Sequence, residues 1–222
     1  MLVEINENFT AKDKRIITND WNEYFKSLKR FKILALKNRV GPLVVGIWLK
    51  MGRLGACYKP VYTVHGLCRE TPYADGALTL TLGLEGRRIS PQEHNAVYIQ
   101  EAQELKKKAY IPIEGDVRID EVIDGYKRFF KTPFKSGYRE YQDFVLICGL
   151  TRERKRIEEA LNFVYNELKT WEDWRFGGPD GFENMFKNLE QRVWDPDELE
   201  RVVESEIIKH KLEKLPVRKI LF

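Results

Sequence analysis

The residues best suited to chemistry are few and far apart. Three histidines, His65, His94 and His210, and three cysteines, Cys57, Cys68 and Cys148, are spread over 222 residues. His65-Gly66-Leu67-Cys68 is the one His/Cys pair at ligand-like spacing. Zinc takes about four ligands in tetrahedral geometry. Cys57 is a third candidate on a neighbouring strand, but no fourth presents itself. The segment reads as a His and a Cys on one hairpin, with no metal and no cofactor implied. His94 falls in the first turn of a helix. His210 lies near a helix C-terminus, where the helix dipole favours a cationic ring.

Other catalytic patterns are missing too. There is no G-x-S-x-G elbow, no Walker loop and no H-E-x-x-H. Gly83-Leu84-Glu85-Gly86 follows a strand and precedes a helix without the glycine spacing of a dinucleotide loop, so it reads as a turn. A metal-dependent nuclease clusters carboxylates near a lysine. Asp75, Glu85, Asp143 and Glu104-Leu105-Lys106 are weak candidates, and Glu104 and Lys106 fall on different faces of a helix. Asp116, Asp120 and Asp124 share a helical face and read as solvated. The expectation is a non-enzymatic protein, with an enzyme of unfamiliar type ranked last.

Binding chemistry is better represented. Between Ala11 and Pro60 there are twelve Lys/Arg against three Asp/Glu, in a chain whose net charge is only +4. Lys26, Lys29, Arg30 and Lys32 cluster where a helix exits into a strand. Arg152, Arg154, Lys155 and Arg156 open another helix, at the end where the dipole disfavours cations. Both clusters are candidate phosphate contacts, because each phosphate neutralised by a cation releases condensed counterions. A third feature is aromatic. Trp174, Arg175 and Phe176 fall outside any helical stripe, and Trp and Arg are common anchors of protein interfaces. The leading functional expectation is a protein-binding protein. Toxin-neutralising immunity and defence-system proteins are the class that small cytosolic α+β chains commonly join. The alternative is a nucleic-acid-binding protein, or a subunit of a nucleoprotein complex, that uses the basic N-terminal quarter.

The elements that must position these residues can be read from periodicity. Ile17, Trp21, Tyr24, Phe25 and Leu28 form a helical stripe. Phe31–Leu36, Leu43–Met51 and Tyr58–His65 read as strands, the last with Pro60 near its start, which predicts an edge position. Leu78, Leu80, Leu82 and Leu84 alternate at period two, the mark of a strand with one buried face. Ser90-Pro91-Gln92-Glu93 predicts a capped helix start. Ile119–Phe130 predicts a second helix, and Phe144–Cys148 a short buried strand. Helices follow from Thr151, from Phe182 and from Asp195-Pro196. The fold expected is α+β: an antiparallel meander of about four strands plus one further strand, about six helices, and a helix-rich C-terminal third. One domain over 1–222 is expected, with a helical subdomain possible from about 151.

Composition sets the outer bounds. Apolar residues make up 43% of the chain and charged residues 32%, as in a folded globular protein. No apolar run approaches the roughly 18 residues of a membrane-spanning helix. The N-terminus carries early acidic charge and no apolar core, unlike a secretory leader. Three cysteines with no CxxC fit a reducing compartment, so a cytoplasmic location with no membrane partner is expected.

Overall fold

The computed structural model describes residues 9–52, 55–70, 82–132 and 137–222. The chain forms two compact units. The first takes in residues 1–64, 82–117 and 215–220, and the second 65–81, 118–214 and 221–222.

The first unit is built on an antiparallel sheet. Helix α1 (Ala11–Tyr24) is capped by Thr10, whose hydroxyl accepts the Asp13 N–H while the Asp13 carboxylate accepts the Thr10 N–H. The strands β1 (Lys29–Lys32), β2 (Ala35–Val40), β3 (Leu43–Met51), β4 (Tyr58–Gly66) and β5 (Leu82–Glu85) lie in the order β1-β2-β3-β4-β5. The expected strand at Phe31–Leu36 is thus two strands meeting in a tight turn, where Leu34 takes a positive φ of 66°. Leu78–Thr81 of the alternating leucine segment lie outside the described residues, while Leu82–Glu85 pair with β4.

Pro60 is not on an edge, because β4 runs between β3 and β5. The register explains how a proline is accommodated. Val61 pairs with Glu85, so Pro60 faces Gly86, one residue past the end of β5. There Pro60 accepts the Gly86 N–H and has only a return bond to forgo.

Leu36, Ile47, Leu49, Tyr58 and Tyr62 are buried, together with Trp21 and Phe25 of α1. Tyr58 and Trp21 meet edge to face. After Ser90–Glu93, where Glu93 reaches back to the Ser90 N–H and hydroxyl, helix α2 (His94–Lys108) begins. Near the chain end, β7 (Val217–Arg218) pairs in parallel with β2, and Val117 donates to the Lys219 carbonyl where β6 (Val117–Arg118) and β8 (Ile220–Leu221) form a short ladder. The Arg218 guanidinium donates to the carbonyls of Pro112, Ile113, Glu114 and Gly115, tying this end to the segment after α2.

The second unit is helical: α3 (Ile119–Phe130), α4 (Tyr138–Gly149), α5 (Arg154–Leu168), α6 (Gly181–Val193) and α7 (Pro196–Lys209). The apolar run Phe144–Cys148 lies inside α4 rather than in a strand. All five of its residues are buried, because α3, α5, α6 and α7 pack around α4. A helix buried on all sides loses its polar stripe, and with it the 3.6-residue signal that separates it from a strand. Gly149 lets α4 and α6 approach, since a Cβ there would stand 2.6 Å from the Val193 carbonyl oxygen. An aromatic core of Phe130, Tyr141, Phe144 and Phe163 fills the middle, with Phe130 stacked on Tyr141 at 4.0 Å. Asp195 caps α7 by accepting the Glu198 N–H, with Pro196 at the first helical position. Among the described residues no helix is long and apolar enough to cross a membrane.

Candidate functional site

The register of β1, β2 and β3 sorts the N-terminal cations. Residues directly opposite in an antiparallel pair share a face. Lys29 stands opposite Lys37, Lys32 opposite Ala35, and Ala35 opposite Trp48. Arg39 and Lys50, two residues along their strands, join the same face. One side of three adjacent strands therefore carries Lys29, Lys32, Lys37, Arg39, Trp48 and Lys50. No Asp or Glu occurs anywhere from Tyr24 to Arg69. Among the described residues, Lys32, Lys37, Arg39 and Lys50 have no carboxylate oxygen within ion-pair distance.

Two of these cations are half-buried. Burial, with Lys32 close by, holds the Lys37 ammonium down to about 8. Its stem crosses Gly46, where a Cβ would stand 2.9 Å from the Lys37 Cγ and closer still to the Leu36 carbonyl oxygen. Arg39 keeps its Nε buried without a hydrogen-bond partner among the described residues. Aromatic rings sit among the cations. The Lys37 ammonium lies 4.6 Å from the centre of the Phe31 ring, and that of Lys50 lies 5.7 Å from the Trp48 ring. Trp48 is 39% exposed, on a strand whose opposite face holds Ile47 and Leu49 in the core. The sequence named Lys29 and Lys32 on this face. It missed Lys37, Arg39, Trp48 and Lys50, although period-two spacing along β2 and β3 was the signal that groups them. Lys26 is elsewhere, at the end of α1 beside Glu23, and Arg30 points to the other side of β1, with its Nη1 3.5 Å from Asn19.

The second basic cluster is neutralised within its own unit. Arg152 binds Asp197 and Glu200, Arg154 binds Glu158, Lys155 pairs with Glu159, and Arg156 bridges Asp120 and Glu153. The cations that sit at the unfavourable end of α5 thus have local partners.

The aromatic triplet divides as well. Residues Asp173–Phe176 form one turn of 3-10 helix. Phe176 turns inward against Tyr138, Trp171 and Phe182. Arg175 lies over Trp171 at 4.6 Å and over Trp174 at 5.6 Å. Trp174 is 70% exposed, and its indole N–H donates to Glu172. Trp171, Trp174 and Arg175 line a groove of about 320 Å³ together with Gly137, Tyr138, Arg139 and Glu140.

His94 and His210 have structural partners. Trp21 Nε1 donates to the Tyr58 hydroxyl at 3.0 Å, which lies 2.8 Å from His94 Nδ1, and His94 Nε2 is 2.9 Å from Asp20 Oδ2. With the ring proton on Nε2, every group in this chain is satisfied. Tyr58 has no solvent exposure, and burial lifts its hydroxyl far above the usual tyrosine range. Trp21, Tyr58 and His94 are all buried, so the bonds join α1, β4 and α2 within the core of the first unit. His210 and Glu206 form a buried pair one helical turn apart on α7. Among the described residues no three His, Cys, Asp or Glu side chains gather to hold a metal.

Compared with known proteins, the chain matches no family model, no curated protein and no solved structure.

Proposed function

We propose that this protein binds single-stranded nucleic acid on the β1–β3 face of its first unit. The observation that carries the reading is Lys37. It is half-buried with Lys32 close by, and no carboxylate oxygen lies within ion-pair distance of it among the described residues. Burial and a neighbouring cation both disfavour the Lys37 charge, so the arrangement costs stability until an anion arrives. A phosphate backbone is an anion of the right length for a row of cations. Trp48 and Phe31 add ring faces for base stacking, and each stacked base contributes about 1–3 kcal/mol whatever its identity. The test is fluorescence anisotropy of a labelled oligothymidylate with the full chain. Binding should weaken steeply with salt, and Lys32→Glu and Lys37→Glu should each flatten that dependence. Affinity unchanged in both variants would reject the reading.

A second reading, a protein partner, is favoured by Trp174. An exposed tryptophan held in place by Arg175 and Glu172 loses little side-chain freedom on docking, which is how interface anchors gain affinity. Affinity purification after nuclease treatment, with the native chain and with Trp174→Ala, tests it: a stoichiometric protein lost only from the variant supports the reading.

A further inference from the structure

The second unit carries a cavity of about 490 Å³ that shares Tyr138 and Arg139 with the groove beside Trp174. Three guanidinium groups from three segments line it: Arg69 from the stretch after β4, Arg139 from α4 and Arg192 from α6. Two are held rigidly from behind. Arg69 donates through Nε at 2.6 Å and through Nη2 at 3.4 Å to the fully buried carboxylate of Asp143. Asp143 fits there because residue 66 is glycine, since a Cβ would stand 2.7 Å from the Asp143 Cγ. Arg192 donates through Nη2 to the Cys68 carbonyl at 3.1 Å, and its Nε lies 3.9 Å from Glu198 Oε1 at the rim of the cavity. Arg139 is exposed and has no carboxylate within ion-pair distance among the described residues.

A guanidinium has five N–H donors, and Arg69 spends two on Asp143, so the anchored groups keep donors for a ligand. Forked donors from several directions match a phosphate, whose oxygens accept in more than one plane. The rest of the lining is of another kind. Glu70 and Glu198 offer acceptors, Gln142, Asn188 and Tyr138 can donate or accept, and Phe176, Met185 and Val202 supply an apolar wall. Acceptors beside a cationic centre suit hydroxyl groups attached to an anion. The volume falls in the usual range of small-molecule sites, about 300–1,000 Å³.

We infer that this cavity binds a sugar phosphate, with the phosphate on Arg69, Arg139 and Arg192 and the hydroxyls on Glu70 and Glu198. The site is independent of the sheet face proposed for nucleic acid.

Isothermal titration of the full chain with ribose 5-phosphate tests it. One saturable site per chain is expected. Arg139→Glu, at an exposed position that spares the fold, should weaken binding at least about tenfold, the scale of one lost charge-assisted hydrogen bond. Arg139→Lys, which keeps the charge but loses the fork, should bind between the native chain and Arg139→Glu, and Lys37→Glu should change nothing. Ribose alone should not bind measurably. No saturable binding of ribose 5-phosphate would overturn the assignment, as would citrate binding more tightly than the sugar phosphate or Arg139→Glu binding as the native chain does.

Discussion

Lys37 and Glu140 place two ionisable groups in surroundings that disfavour their charge, with opposite consequences for pH. Burial lowers Lys37 from 10.5 to about 8, so between those values the folded chain holds fewer protons than the unfolded one. Stability from this group therefore rises with pH across that window, and the full cost is present below pH 8. Lys37→Met should raise the thermal midpoint at neutral pH while weakening oligonucleotide binding. A rise in one with a fall in the other separates a binding residue from a structural one. Glu140 shows the reverse. Burial, reinforced by Asp143, raises it from 4.5 to about 7. The folded chain then holds more protons, and stability falls as pH climbs through that range. Glu140→Gln should remove this slope in urea midpoints measured from pH 5 to pH 8, and an unchanged slope would place its origin elsewhere. Arg69→Ala would strand the buried Asp143 carboxylate. Its expected cost is about 3–5 kcal/mol in denaturant unfolding, and a loss under 1 kcal/mol would show that the pair is not desolvated as described. The phenol of Tyr58 satisfies the buried Trp21 N–H, so Tyr58→Phe is expected to cost about 1–3 kcal/mol.

At the scale of elements, the sequence was legible where periodicity and capping agreed. The boundaries of β3 and α3 follow from their apolar patterns, and Asp195-Pro196 announced α7. It was illegible where burial erased the pattern. The run Phe144–Cys148 has no polar side because α4 is enclosed by four helices, so nothing in it distinguishes helix from strand. It was ambiguous at Pro60, because an edge is one way to spare a proline its missing N–H and a strand end is another. The candidate site followed the same division. Charge density along Ala11–Pro60 pointed to a basic surface, yet only the pairing of β1 with β2 and of β2 with β3 shows that Lys37, Trp48 and Lys50 stand together while Arg30 does not. The Arg152–Arg156 cluster looked equally basic in sequence, and its carboxylate partners come largely from one helical turn away or from α3 and α7. Arg152→Ala should leave oligonucleotide affinity unchanged. Close packing also depends on elements meeting where side chains are absent. Gly149→Ala would drive a methyl group into the end of α6, with an expected loss of about 1–3 kcal/mol read from the urea midpoint.

At the scale of the whole molecule, charge is divided unequally between chain segments. A stretch of strands without a single acid contrasts with a helical unit in which Arg152, Arg154, Lys155 and Arg156 all have carboxylate partners. Net charge hides this, because +4 over 222 residues is small. On the reading proposed above, phosphate-backbone binding falls to the sheet unit and a smaller ligand to the arginine cavity of the helical unit. The measurement that bears most directly on this account is the salt dependence of single-stranded oligothymidylate binding by the native chain and by Lys37→Glu. The native chain should bind with a steep negative slope of log affinity against log salt, and the variant should bind more weakly, with a slope shallower by about 0.7, the share of one phosphate contact on a single strand. Equal slopes and equal affinities for the two proteins would contradict the assignment of the sheet face to nucleic acid.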